Sequence, residues 1–143
     1  MIKKIQTLLT TAVLLFGMGS SSFADFNDGF DAYNKGDYKT AFNEWKPLAE
    51  RGHTGAQNNL GSMYDNGRGV LKDYQEAVRW YKKAAEQGDA FAQNNLGWMY
   101  INGRGVVKDL NKAKYWIKKA YESPAVRFSI KELTEEDWRK LEL

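Results

Sequence analysis

Apolar residues recur with helical spacing through much of the chain. Ala77, Trp80, Tyr81, Ala84 and Ala85 fall at i, i+3, i+4, i+7 and i+8, one face of an α-helix. Upstream, Ala56, Leu60, Met63 and Tyr64 share another such face. Asn66-Gly67 stops the first helix. Asp73, with Glu76 three residues later, reads as a capping-box start for the second. Gly88 supplies the left-handed residue that ends it. Residues 53–88 therefore predict a pair of helices.

The pattern then returns. Ala56-Gln57-Asn58-Asn59-Leu60-Gly61 recurs as Ala92-Gln93-Asn94-Asn95-Leu96-Gly97, a shift of 36. Asn66-Gly67-Arg68-Gly69-Val70 recurs as Asn102-Gly103-Arg104-Gly105-Val106 at the same shift, and Trp80 recurs as Trp116 on the packed face. A degenerate copy precedes both: Tyr38, Ala41, Leu48, Ala49 and Gly52 lie 36 before Tyr74, Ala77, Ala84, Ala85 and Gly88. Tyr33, Asn34 and Gly36 need a shift of 31 to meet Tyr64, Asp65 and Gly67, so this copy is expected to lack five loop residues. Pro47 falls inside its second helix and predicts a kink or break near Lys46.

One such pair cannot bury its apolar face alone, whereas stacked pairs can. The predicted fold is all-α: an α/α solenoid of antiparallel helix pairs, in units 25–52, 53–88 and 89–123. A C-terminal cap is expected over 124–143, where Thr134-Glu135-Glu136-Asp137 signals a helix start before Trp138 and Leu141. Gly61 and Gly97 are expected to let a neighbouring helix approach closely.

Ahead of the repeats, residues 1–24 read as a signal peptide. Met-Ile-Lys-Lys precedes an apolar run through Met18, and Ser22 and Ala24 supply small residues before a cut after Ala24. That run is shorter than the ~20 apolar residues a membrane span needs. No cysteine follows it, so no lipid attachment is expected. The expected location is periplasmic or secreted, with no stable membrane insertion after signal removal.

The repeated motifs resemble the Sel-1-like repeat family, relatives of tetratricopeptide repeats. The matching residues are the Ala-Gln-x-Asn-Leu-Gly-x-Met-Tyr of each first helix, the Gly-x-Gly-Val-x-Lys-Asp loop, and the Ala-x-x-Trp-x-x-Lys-Ala of each second helix. The resemblance covers about residues 26–122. It implies a protein or peptide partner rather than a reaction. It leaves two alternatives: an envelope hydrolase or β-lactam-binding protein of the same fold, and an inhibitor or immunity protein.

Composition narrows the chemistry. The chain of 143 residues has no cysteine and one histidine, His53. Thiol nucleophiles, thiolate metal sites and multi-histidine centres are thereby excluded. Neither Ser62, Ser123 nor Ser129 has a lysine three positions later, as a Ser-x-x-Lys hydrolase needs. The Gly-x-Gly around Arg68 and Arg104 lacks the context of a phosphate loop and reads as turn chemistry. Neither an enzyme nor a cofactor is expected. The formal charge of +3 includes Lys3 and Lys4 of the leader. Lys108, Lys112, Lys114, Lys118 and Lys119 cluster in the third unit, and we read them as a solvated face rather than a nucleic-acid site.

One stripe on the first helices differs between the two full copies. In the second unit it is Gly55, Asn58, Ser62 and Asp65; in the third it is Phe91, Asn94, Trp98 and Ile101. Scaffold alone does not require that change. Either the tail covers the third-unit stripe with Phe128, Ile130 or Trp138, or the stripe binds a partner with Trp98 as anchor. Asn58, Ser62, Phe91, Asn94, Trp98 and Ile101 are the candidate partner-binding residues. Asn59 and Asn95 serve equally well as packing residues.

Overall fold

The computed structural model describes residues 21–124 and Arg139. Residues 1–20 of the expected leader and the expected cap residues Phe128, Ile130, Trp138 and Leu141 lie outside the described residues. Six helices follow one another: α1 (Ser21–Asn34), α2 (Tyr38–Glu50), α3 (Thr54–Asn66), α4 (Tyr74–Glu86), α5 (Ala90–Asn102) and α6 (Leu110–Glu122). No strand occurs among the described residues. Each helix packs on the next in sequence, and the short links make successive helices antiparallel. The pairs α1–α2, α3–α4 and α5–α6 form the expected α/α solenoid.

Helix starts are set by side chains that accept otherwise unpaired N–H groups. Asp73 Oδ1 accepts from the N–H of Gln75 at 2.9 Å and of Glu76 at 3.1 Å. Asp89 and Asp109 cap α5 and α6 in the same way, and Asp37 caps α2. At α3 the cap is His53, whose Nδ1 accepts from the Ala56 N–H at 3.1 Å. Its ring also stacks on Phe26, centroids 4.6 Å apart. The histidine holds the place that Asp89 holds one unit later.

Glycines set the distance between the helices of each pair. A Cβ on Gly61 would meet the Tyr81 ring, and one on Gly97 would meet Ile117. Both close approaches agree with the sequence expectation. A third glycine does the same in the first unit, where a Cβ on Gly29 would overlap the Trp45 indole.

That third contact corrects the register of the first copy. Trp45 lies 36 before Tyr81, so Gly29 is the counterpart of Gly61 and the shift is 32, not 31. The backbone agrees. Asp37 N–H donates to the Ala32 carbonyl as Asp73 N–H donates to that of Tyr64, and Ala32 and Tyr64 are also 32 apart. The α1–α2 link is therefore four residues shorter than the α3–α4 link, not five.

Two further expectations need correction. Helix α2 runs through Pro47 to Glu50 without a break. Pro47 and Asn43, whose carbonyl loses its donor, are both exposed, so that carbonyl can face water. Trp80 and Trp116 are also unequal. Trp80 is 3% exposed in a core with Ala41, Trp45, Leu48 and Leu60. Its ring is flanked by Arg79 and Lys83 at 4.5 and 4.6 Å. Trp116 is only partly buried, with Tyr115 edge-on to its ring, centroids 5.1 Å apart, and Lys119 5.6 Å from the ring centroid.

Candidate functional site

The units are joined by polar bonds that repeat with them. Gln57 and Gln93 are both buried. Gln57 Nε2 donates to the Ala49 carbonyl at 3.0 Å, and Gln93 Nε2 to that of Ala85 at 3.1 Å. Each ties a first helix to the end of the preceding second helix. Sequence reasoning left these glutamines unassigned, although their repetition in Ala-Gln was a signal. Asn95 Nδ2 donates to Asn58 Oδ1 at 3.1 Å, which fixes α5 beside α3.

The candidate residues fall into three groups. Asn58 is engaged in that inter-unit pair, and Ile101 packs on Ala113 and Ile117 at the α5–α6 contact. Both therefore support the face from below. Asn94 is half-buried, and its Oδ1 is buried without a hydrogen-bond partner among the described residues. It holds the place at which Asn58 accepts from Asn95. Phe91 and Trp98 stand out from α5 with 51% and 40% of their surface exposed. Ser62 is half-buried on α3, its carbonyl and Oγ both accepting from Asn66 Nδ2.

The corrected register adds residues that the sequence reading missed. With a shift of 32, Phe30 is the first-unit counterpart of Ser62 and Trp98, and Tyr33 that of Asp65 and Ile101. Phe30 is 51% exposed. Equivalent places on α1, α3 and α5 thus carry Phe30, Ser62 and Trp98: two exposed aromatics flanking a small polar residue. Between α1 and α3 the face contains a cavity of about 110 Å³ lined by Phe30, Tyr33, Trp45, Asn59 and Ser62. Burial raises the Tyr64 and Tyr81 hydroxyls above the ordinary tyrosine range.

Arg68 and Arg104 are exposed and are held by rings. Arg68 lies over Tyr33 and Tyr38, at 5.6 and 5.3 Å from the ring centroids, and donates to the Tyr33 hydroxyl. Arg104 lies 5.5 Å over Tyr74. Each links its loop to the preceding unit. Among the described residues, no three or more His, Cys, Asp or Glu side chains are grouped to hold a metal ion.

Residues 54–89 and 90–123 each match the family model of the Sel1 repeat. The chain is a Sel1-repeat protein. The repeat is a protein-interaction module, and the two matched copies correspond to α3–α4 and α5–α6. A Sel1 repeat protein from Oxalobacter formigenes is similar in structure, with 39% identity and a TM-score of 0.65. That match covers 68% of this chain and 40% of the other. The protective antigen c5321 of uropathogenic Escherichia coli strains, which displays an SLR fold, is also similar, with 32% identity and a TM-score of 0.70. It is covered to 29%, against 88% of this chain. In sequence, 54 residues are 41% identical to an exopolysaccharide production negative regulator of Rhizobium leguminosarum bv. viciae. They make up 38% of this chain and 20% of that protein, so this chain spans a minor part of each relative.

Proposed function

We propose that this Sel1-repeat protein is an exported, non-catalytic module that binds a peptide or protein partner in the cell envelope across the face made by α1, α3 and α5. The observation that carries this reading is the exposure of Trp98 beside Phe91, with Phe30 at the matching place on α1. Large aromatics in such positions are the side chains that anchor partners. The row is interrupted by Ser62 and the adjoining cavity, which would admit an apolar side chain of the partner.

Two further points support binding over turnover. The Nδ1 of the one histidine is already used as a helix cap. The relative from Rhizobium is named a regulator, in keeping with action by association. Export rests on the leader pattern up to Ala24.

The test uses Trp98→Ala and Phe30→Ala. Neither side chain belongs to a core cluster, so the unfolding midpoint should stay close to wild type. Capture of a defined partner from periplasmic extract should be lost, since an anchor of this kind carries about 2 kcal/mol or more. Full retention of the captured partner by both variants would overturn the reading. Export is tested separately: N-terminal sequencing of protein from its native compartment should begin at Asp25.

A further inference from the structure

The loops 67–73 and 103–109 form an edge distinct from the first-helix face. In each loop a valine, Val70 or Val106, packs inward on a core cluster. The next side chain points out. Leu71 is 90% and Val107 87% exposed, the highest values for large apolar residues among the described residues. They are 36 residues apart in sequence and hold one place in consecutive units.

Their display is built rather than incidental. Gly69 and Gly105 take φ of +72° and +67° and lie against the carbonyls of Tyr38 and Tyr74. Arg68 and Arg104 clamp the loops through ring contacts. Each loop is closed by a backbone bond, Asp73 N–H to Tyr64 O at 3.0 Å and Asp109 N–H to Tyr100 O at 3.1 Å. The tips are therefore held on a fixed frame.

The surroundings are cationic. Lys72 and Lys108 follow the tips directly, and Lys112 stands one turn into α6. The carboxylates on this edge are engaged. Asp73 and Asp109 cap their helices, and Asp109 also faces Lys112 at 3.4 Å. The N-termini of α2, α4 and α6 add positive potential on the same side.

Isolated aliphatic tips set among lysines do not make the contiguous apolar patch of a protein interface. They match an anionic bilayer surface, where tips enter the headgroup region and ammonium groups meet lipid phosphates. We propose that this loop edge docks peripherally on membranes containing anionic lipid, leaving the first-helix face free. Docking is distinct from spanning: no described helix is long and apolar enough to cross a membrane.

The absence of cysteine makes a direct test possible. Leu71→Cys, Val107→Cys and, on the other face, Ser62→Cys are each labelled with a polarity-sensitive dye in the full chain. Vesicles of phosphatidylcholine with about one-third phosphatidylglycerol should shift the labels at 71 and 107 to the blue and leave the label at 62 unchanged. Pure phosphatidylcholine should shift none of them. The double substitution Lys72→Gln/Lys108→Gln should weaken the response about thirtyfold, about fivefold per lysine. Unshifted labels at 71 and 107, an equal shift at 62, or an equal response to neutral vesicles would each overturn the proposal. Because the label position reports which surface meets the vesicle, binding through any other segment registers as failure.

Discussion

Gly105 lies so close to the Tyr74 carbonyl that a Cβ there would overlap it, and Gly69 stands in the same relation to the Tyr38 carbonyl. The second glycine of each Gly-x-Gly is thus a contact between units. The loop of one pair closes onto the start of the preceding second helix, and no side chain fits between them. Gly105→Ala combines a left-handed backbone at φ +67° with that overlap. Gly88→Ala meets only the first problem, since its φ is +94° with nothing within 4 Å of the added carbon. We expect Gly88→Ala to cost about 1–2 kcal/mol. Gly105→Ala should cost about 1–3 kcal/mol beyond that. Urea unfolding of the two variants measures the difference, and equal losses would show that the loop contact is not tight.

The distinction between those glycines shows where sequence reasoning reached and where it stopped. Repetition at 36 residues exposed the helix pairs, the Asp73 cap and the close approach at Gly61 and Gly97. The first copy was misaligned by one residue because Tyr33, Asn34 and Gly36 imitate the helix-ending residues of the later units. The decisive marker was Gly29, whose role depends on Trp45 and so on a distant contact. With the register wrong, Phe30 could not be seen as the counterpart of Trp98. Gln57 and Gln93 recur in the motif, but recurrence alone does not tell a buried glutamine from a surface one. Only the fold shows that their amides reach the carbonyls of Ala49 and Ala85.

Repeat equivalence also overstates energetic equivalence at the two tryptophans. Trp80 is almost fully buried, whereas Trp116 is only partly so. Trp80→Ala should therefore cost about 3–5 kcal/mol, the range for deleting a buried large aromatic. Trp116→Ala should cost roughly 1–2 kcal/mol, in proportion to the smaller area it removes from water. Guanidinium midpoints at constant m-value report both. Equal losses would place Trp116 in a closed core.

His53 joins two stabilising contacts, the Ala56 N–H cap and the stack on Phe26. His53→Ala removes both. The cap alone is worth about 1 kcal/mol, and an aromatic stack adds about 0.5–1.5 kcal/mol. His53→Asp restores the cap that the next unit uses at Asp89 and forfeits only the stack. Thermal unfolding should rank wild type first, the aspartate variant second and the alanine variant last. An aspartate variant no better than alanine would mean that the imidazole acts through the ring contact alone.

The aspartate caps give the fold a dependence on acidity. The Asp37 carboxyl is held below the usual carboxylate range by the Thr40 side chain and by the Thr40 N–H. The Asp109 carboxyl is lowered first by the N–H of Lys112. A carboxyl depressed in the folded state stabilises that state above the unfolded value, near pH 4, and the contribution is lost as pH falls through the folded value. Protonation removes the acceptor charge and weakens both helix starts. Asparagine caps about as well and does not titrate. The double variant Asp37→Asn/Asp109→Asn should match wild type at about pH 6 and lose less stability than wild type on acidification to about pH 2.5. Urea midpoints at the two pH values make the comparison. Raised salt should narrow the gap, because both carboxylates sit at the surface. A parallel fall in the two proteins would assign the acid sensitivity to other carboxylates.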